Sequence, residues 1–83
     1  MFIIGIDPHR GSHAAVVIDH SETVLAVLEL PADRRQRQRL LDWSTVFAPR
    51  VWAIEGATGT GALLAQQLVA VGERVIDVTL QFR

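Results

Sequence analysis

Two carboxylates in this sequence stand directly after apolar runs that are long enough to form buried strands. Asp7 follows the run at residues 2–6, and Glu55 follows the run at residues 51–54. An acid in such a position needs a counter-charge, and Arg10 is the only Lys or Arg next to either one. Hard cations such as Mg²⁺ prefer carboxylate oxygens. If the two strands are neighbours, both acids can reach one divalent cation; otherwise Asp7 caps its turn and Glu55 is a solvated strand end.

A shared cation at two strand ends predicts a particular chemistry. Phosphodiester cleavage uses two divalent cations about 3.5–4 Å apart, which activate the attacking oxygen and stabilise the leaving oxygen. Two carboxylates alone cannot hold such a pair. At least one further acid is therefore expected from beyond residue 83.

The hydrophobic pattern predicts the elements that would position these acids. Apolar runs bounded by turn residues predict strands, and apolar residues at i, i+3 and i+7 predict helices. The expected strands cover residues 2–7, 13–19, 23–30, 50–55 and 74–78. A first helix is expected over residues 32–47, and a second between the last two strands. The predicted order is βββαβαβ.

This order constrains the sheet. A strand–helix–strand unit is parallel and right-handed, and the crossover from strand three can place strand four beside strand one. The expected strand order is therefore 3-2-1-4-5, the mixed α/β topology of the ribonuclease H-like fold. We expect one incomplete domain of this kind over residues 1–83, with Asp7 and Glu55 on adjacent parallel strands.

Helix ends are predicted from turn and capping residues. Pro31 and Asp33 suit the start of the first helix, whose apolar stripe is Leu40, Trp43 and Phe47. The second helix is expected to begin at a cap formed by Thr58 or Thr60 and to end at a left-handed Gly72. Its predicted apolar stripe consists of Leu64, Leu68 and Val71, while Trp43 and Trp52 are expected in the core.

Composition excludes several classes of protein. Hydrophobic residues make up 49% of the 83 residues and the mean hydropathy is +0.27, so the chain has more apolar surface than a domain of this size easily covers. This excess predicts an incomplete piece of a larger fold or a homo-oligomer. The absence of cysteine excludes disulfides and thiolate metal sites, and no apolar run approaches the roughly 20 residues of a membrane span. We expect a cytoplasmic protein with no membrane contact.

Two motifs carry a family resemblance. The first is Gly-Ile-Asp-Pro-His-Arg at residues 5–10, and the second is Glu-x-x-Thr-Gly at residues 55–59, which leads into a Leu/Ala helix, a glycine and a Val-rich strand. Together they resemble the N-terminal RuvC-like (DEDD) domain of bacterial insertion-sequence transposases over about residues 2–78. The second motif is the more specific, because resolvases and the sugar-kinase ATPase superfamily also begin with a Gly-Ile-Asp strand.

The resemblance implies a DNA recombinase. Asp7 and Glu55 match the first two acids of the family's tetrad, which binds Mg²⁺ for DNA strand exchange in transposition. It also implies a guide RNA encoded by the element and a catalytic serine in a separate domain. Where the family continues into a helix with the remaining acids, residues 79–83 read Thr-Leu-Gln-Phe-Arg. We therefore expect a truncated copy that is inactive alone.

Arginines and histidines near these motifs are candidate phosphate ligands. The candidate nucleic-acid-binding residues are Arg10, Arg34, Arg35, Arg37 and Arg39; the alternative for the last four is a solvated helix face. His9 and His13 flank the turn after Asp7, where they could position a phosphate or a metal-bound water or be merely exposed. The glycines of the loop at residues 56–61 could present N–H groups to an anion, or allow tight packing.

Two other classes of function fit parts of the pattern. In a nucleotide-binding lobe of the sugar-kinase ATPase superfamily, Asp7 would begin a phosphate-binding hairpin. Such hairpins are rich in Gly and Thr, whereas residues 8–10 are Pro-His-Arg. A non-catalytic remnant would instead dimerise through its uncovered apolar surface.

Overall fold

Three antiparallel strands open the fold, and two strand–helix crossovers follow them. The computed structural model describes residues 1–78. Its elements are β1 (Phe2–Pro8), β2 (Ser12–Ile18), β3 (Val24–Pro31), α1 (Gln36–Trp43) with a 3₁₀ turn (Ser44–Val46), β4 (Arg50–Glu55), α2 (Ala62–Ala70) and β5 (Val75–Val78). The predicted order βββαβαβ is confirmed. No helix in this described part of the chain is long and apolar enough to cross a membrane.

The five strands form one mixed sheet in the order β3-β2-β1-β4-β5. β1 lies at its centre, antiparallel to β2 and parallel to β4, and β4 is parallel to β5. This is the predicted topology of the ribonuclease H-like fold. It follows from the short connections between the first three strands, which permit only antiparallel neighbours, and from the helical crossovers, which require parallel ones.

The core lies on one face of the sheet, which we call the helix face. Side chains of a strand alternate between faces, and on β1 it is Ile4 and Ile6 that are buried. They pack in one cluster with side chains of both helices, chiefly Leu40, Leu64 and Leu68. The residues of opposite parity, such as Ile3 on β1, belong to the other face, which we call the open face.

The first helix is shorter than predicted. α1 begins at Gln36, because Pro31 pairs with Ser12 as the last residue of β3 and Asp33 then closes a turn. The Asp33 carboxylate accepts a hydrogen bond from the N–H of Arg35 at 2.9 Å. The backbone carbonyl of Asp33 accepts one from the N–H of Gln36 at 3.0 Å. The helical turns after Trp43 tighten into the 3₁₀ turn.

The second helix also differs at both ends. Neither Thr58 nor Thr60 caps it; Gly61 occupies the N-cap position, without a side-chain hydrogen bond. At the other end Gly72 is left-handed, with φ +90°, as predicted. Its N–H bonds to the carbonyl of Val69 at 3.0 Å, and the next N–H bonds to that of Leu68 at 3.0 Å, which is the Schellman pattern.

Not every residue of the predicted apolar stripes is in the core. Leu64 and Leu68 are buried as expected, but Val71 lies beyond the end of α2 and is 45% exposed. Trp52 is fully buried, whereas Trp43 is only partly buried and packs edge-on against Phe47. Trp43 therefore covers the edge of the core rather than filling it.

Candidate functional site

Asp7 and Glu55 lie at the same edge and on the same face of the sheet. In the register of β1 with β4, Gly5 lies opposite Ala53, and Ile6 lies opposite Ile54. Asp7 and Glu55 each come one residue later. Because Ile6 and Ile54 are buried on the helix face, alternation directs both carboxylates to the open face.

A cavity of about 570 Å³ on the open face, which we call the open-face cavity, is lined by both carboxylates. Its floor is made of small side chains on the central strands, such as Gly5, Ala14 and Ala53. Glu29 of β3 also lines it, in the same row of the sheet as Asp7, since Ala14 pairs with both of them. Small floor residues leave room for a group of substantial size beside the acids.

His9 is the nearest basic partner of Asp7, although the sequence suggested Arg10. Its Nε2 lies 3.3 Å from Asp7 Oδ2, and the two side chains are 60% and 57% exposed. A contact between such exposed groups adds little to stability. It leaves Asp7 accessible to a further group.

The donor set fits part of a metal site. Carboxylate oxygens suit Mg²⁺, and Asp7 and Glu55 supply two such groups from rigid neighbouring strands. Within residues 1–78, however, no three His, Asp or Glu side chains are grouped so that they could hold a metal ion. The described residues therefore provide two ligands and leave the remaining coordination positions to other groups.

Both histidines flank the turn after Asp7, as expected, but His13 lies on the opposite face of the sheet from that acid and cannot position a group beside it. His13 pairs with Pro8 in the register, whereas Asp7 pairs with Ala14. The imidazole is 4% exposed beneath the helices, and its Nε2 lies 2.7 Å from Oε1 of Gln36. Only His9 remains beside the carboxylate pair.

The buried histidine belongs to a polar chain that the sequence did not indicate. Gln36 is the first residue of α1, and its Nε2 donates to Oε1 of Gln67 on α2 at 2.8 Å. The Nδ1 of His13 is buried without a hydrogen-bond partner. No sequence pattern indicated this polar chain, because the partners of Gln36 are 23 and 31 residues away in sequence.

A second cavity of about 780 Å³, which we call the helix-side cavity, is lined by these three hydrogen-bonded side chains. It lies where the β1–β2 turn and the starts of both helices meet. Its lining includes His13, Gln36 and Gln67, together with Pro8, His9, Arg10, Ala32, Asp33, Arg34, Thr60, Leu63 and Leu64. The two cavities are on opposite faces of the sheet.

The five candidate arginines fall into different environments. Arg10 and Arg34 line the helix-side cavity. Arg39 is held by Asp33, with Nη1 at 2.7 and 2.8 Å from the two carboxylate oxygens, and this hydrogen bond lowers the pKa of Asp33. Arg35 and Arg37 line neither cavity. The structure thus does not gather all five into one patch.

The glycine loop is closed by its own hydrogen bonds. The N–H groups of Gly59 and Gly61 both donate to the carbonyl of Gly56, at 2.8 and 2.9 Å, and the N–H of Ala62 donates to the carbonyl of Gly59 at 2.9 Å. The N–H of Ala57 donates to Asp77 Oδ1 at 3.0 Å. These engaged groups favour tight packing over an anion-binding loop.

The strand order of the sheet is that of the RuvC and ribonuclease H-like fold. The Thermus thermophilus RuvC structure superimposes with a TM-score of 0.68 and 22% identity, over 95% of this chain and 62% of that one. The fowlpox virus Holliday junction resolvase superimposes with a TM-score of 0.65 and 15% identity, over 95% of this chain and 61% of that one. The structure of fowlpox virus resolvase with its substrate Holliday junction DNA superimposes with a TM-score of 0.70 and 15% identity, over 100% of this chain and 63% of that one.

These likenesses establish the fold. No protein-family model matches the chain, and no curated protein matches it. The chain spans less than two thirds of the length of each of these solved structures.

Proposed function

We propose that this chain is the N-terminal part of the catalytic domain of a DNA recombinase, of the DEDD transposase type, in which Asp7 and Glu55 bind Mg²⁺. The observation that carries the proposal is their placement on one face at the ends of two adjacent parallel strands. Neither acid is used elsewhere in the described structure except for the exposed contact of Asp7 with His9.

When bound, the metal ion supplies a Lewis acid that stabilises the charges developing on the phosphodiester oxygens. The chain itself supplies oriented oxygen ligands on rigid strands, so that little conformational freedom is lost on binding. His9 contacts the Asp7 carboxylate from the solvent side, with Nε2 3.3 Å from Oδ2. Further carboxylates come from groups outside residues 1–78, and the fragment alone is expected to be inactive.

DNA is the proposed substrate because the fowlpox virus resolvase of the same fold is described with Holliday junction DNA. The specific transposase assignment rests on the two motifs at residues 5–10 and 55–59. A guide RNA and a homo-oligomer are further predictions from the resemblance and the apolar surface.

The metal site is tested by titrating ¹⁵N-labelled protein with Mn²⁺, which broadens the resonances of nearby amides, and with Mg²⁺ in competition. We expect broadening centred on Asp7 and Glu55. Asp7→Asn and Glu55→Gln should each weaken Mn²⁺ binding about tenfold or more, because loss of a charge-assisted contact costs roughly 1.5–3 kcal/mol.

Glu29→Gln is the matched control, because Glu29 is a carboxylate on the same cavity but two strands from Asp7. Its affinity for Mn²⁺ should stay within about twofold of the wild-type value. Equal losses in all three variants would mean that Mn²⁺ responds to general negative charge, and the assignment of Asp7 and Glu55 would be wrong.

A further inference from the structure

We propose that the helix-side cavity is a phosphate-binding site. It lies on the other face of the sheet from the carboxylate pair, and His9, which contacts Asp7, is part of its lining. Four features of the described residues meet there: two arginines, two helix starts without side-chain caps, a buried imidazole and the amides that hold it. The inference of phosphate binding does not depend on the metal site; only the identification of the phosphate as nucleic-acid backbone rests on the proposed function.

Arg10 and Arg34 supply the positive charge. Both line the cavity, and within residues 1–78 neither forms an ion pair with a carboxylate. Asp33 also lines the cavity, but both of its oxygens already accept hydrogen bonds from Arg39. The guanidinium groups are therefore available for a phosphate, which arginine binds through paired N–H donors.

The starts of both helices face the same cavity. Gln36 is the first residue of α1, and Leu63 and Leu64 lie in the first turn of α2. Neither helix has a side-chain hydrogen bond at its N-cap. The first N–H of each helix is already engaged, that of Gln36 by the Asp33 carbonyl and that of Ala62 by the Gly59 carbonyl. The remaining N–H groups of each first turn have no partner within the helix, and with the helix dipole they favour an anion.

The buried histidine is the second, independent sign of a ligand. His13 lines the cavity and is 4% exposed, yet its Nδ1 has no hydrogen-bond partner. Buried polar atoms in native proteins are rarely left unpaired. Inorganic phosphate can satisfy Nδ1 in either state of the ring, because its O–H can donate to a bare Nδ1 and its oxygens can accept from Nδ1–H. A phosphodiester has no O–H and can only accept from Nδ1–H.

The amide chain holds that ring in place. Gln36 contacts His13 Nε2 at 2.7 Å and is itself held by Gln67 at 2.8 Å, so that the imidazole is fixed between β2 and both helices. An amide can present either its oxygen or its NH₂ group to the ring. In this structure the Gln36 oxygen faces the ring and its NH₂ group donates to Gln67, so Nε2 of His13 carries the proton and Nδ1 is left to a ligand.

The test is titration of ¹⁵N-labelled protein with inorganic phosphate, in EDTA and at constant ionic strength maintained with chloride. We expect chemical-shift changes at Gln36, Leu63 and Leu64. Arg10→Gln and Arg34→Gln should each weaken phosphate binding about tenfold, the low end of the range for a hydrogen bond to a charged group. Arg35→Gln makes the same charge change one residue away, outside the cavity, and should change affinity by less than about twofold.

The side-chain nitrogens of His13 provide a readout that general electrostatic attraction would not move. Phosphate should shift the ¹⁵N resonance of Nδ1 in the wild-type protein and in Arg35→Gln, with the response displaced to higher phosphate concentration in Arg34→Gln. An unchanged Nδ1 resonance at saturating phosphate, or equal losses of affinity in Arg34→Gln and Arg35→Gln, would overturn the proposal.

The source of the phosphate is resolved by comparing inorganic phosphate with a short single-stranded oligonucleotide in the same buffer. Oligonucleotide shifts at the same three amides, weakened by Arg10→Gln and Arg34→Gln, would support a backbone phosphate. Binding of inorganic phosphate alone would support the site but overturn nucleic acid as its partner. Because EDTA removes divalent cations, either result is independent of metal binding by Asp7 and Glu55.

Discussion

At the residue scale, the Glu73 carboxylate connects the segment before β5 to two side chains of β4. It accepts hydrogen bonds from Trp52 Nε1 at 2.6 Å and from Arg50 Nε and Nη2 at 3.0 and 3.1 Å. Burial raises the pKa of Glu73, but the hydrogen bonds from Trp52 and Arg50 outweigh it, and the net pKa lies below the ordinary value of 4.5. The ionised form is therefore the one the fold stabilises.

Glu73→Gln should remove this stabilisation in a pH-dependent way. A carboxylate with a lowered pKa contributes stability above its unfolded value of about 4.5, and this contribution is lost as pH falls through the folded pKa. At pH 7 we expect a loss of about 1–2 kcal/mol in the free energy of unfolding, shrinking below pH 4.5. Urea unfolding of both proteins across pH 3–7 measures the difference.

The matched control for this experiment is Glu29→Gln, which neutralises an exposed carboxylate that has no hydrogen bond to Trp52 or Arg50. It should leave the pH dependence of stability close to that of the wild-type protein. If Glu73→Gln and wild type differed by a constant amount at every pH, the loss would come from packing rather than from the charge of Glu73.

At the element scale, the start of α2 is fixed by the close approach of the chain to β4. A Cβ at Gly61 would lie 2.7 Å from Ile54 Cγ2, 3.0 Å from Pro8 Cγ and 3.2 Å from the carbonyl oxygen of Glu55. Ile54 is fully buried and the last contact is with backbone, so neither neighbour can move freely. A glycine is needed there for space.

Gly61→Ala should therefore destabilise the protein by about 1–3 kcal/mol, the usual cost of overpacking. Gly59→Ala is the control in the same loop, since its Cβ would meet only the carbonyl oxygen of Gly56 at an ordinary 3.8 Å. Its unfolding free energy should be unchanged or slightly higher, because alanine restricts the unfolded chain. Equal stabilities of the two variants in denaturant unfolding would show that α2 can shift away from β4.

The order of elements and the faces of the two acids were predictable from sequence because each depends on a strong local rule. Short turns give antiparallel neighbours and helical crossovers give parallel ones, while period-two alternation sets the face of Asp7 once Ile4 and Ile6 are known to be buried. The start of α1 was not predictable in this way. Pro31 suits both the end of an edge strand and a first helical turn, and hydrogen bonding by Asp33 decided between them.

The face of His13 was not predictable from the sequence for a similar reason. Its face depends on the register of the β1–β2 hairpin, and a shift of one residue moves every side chain to the other face. That register is set by the hydrogen bond from the His9 N–H to the Ser12 carbonyl at 2.8 Å, which closes the turn after Pro8. The contacts of His13 with α1 and α2 are long-range, and no periodicity in the sequence indicates them.

At the scale of the whole molecule, the helices cover only one face of the sheet within residues 1–78. The open face bears apolar side chains that are substantially exposed, including Val27 at 71% and Ile76 at 48%. Exposed apolar patches of this kind mark surfaces that other groups cover. The chain also spans only 61–63% of the solved structures that share its fold. The free energy of folding of this chain should therefore come mainly from one face.

Two adjacent isoleucines on β1 test this one-sided core. Ile4 points to the helix face and is fully buried, whereas Ile3 points to the open face and is 36% exposed. Ile4→Ala should cost about 2–5 kcal/mol, because it removes buried carbons and leaves a cavity. Ile3→Ala should lower the free energy of unfolding by about 1 kcal/mol or less, because the Ile3 side chain is already partly exposed to water and its removal loses less apolar burial.

Denaturant unfolding of both variants measures the contrast, and Ile4→Val, with an expected cost of about 0.5–1.5 kcal/mol, keeps the comparison possible if Ile4→Ala does not fold. The substitution at Ile3 is the more informative because its cost reports what lies over the open face. A loss at Ile3 that equals the loss at Ile4 and grows with protein concentration would mean that a second copy covers this face. The same equality at every concentration would contradict a core built on the helix face alone.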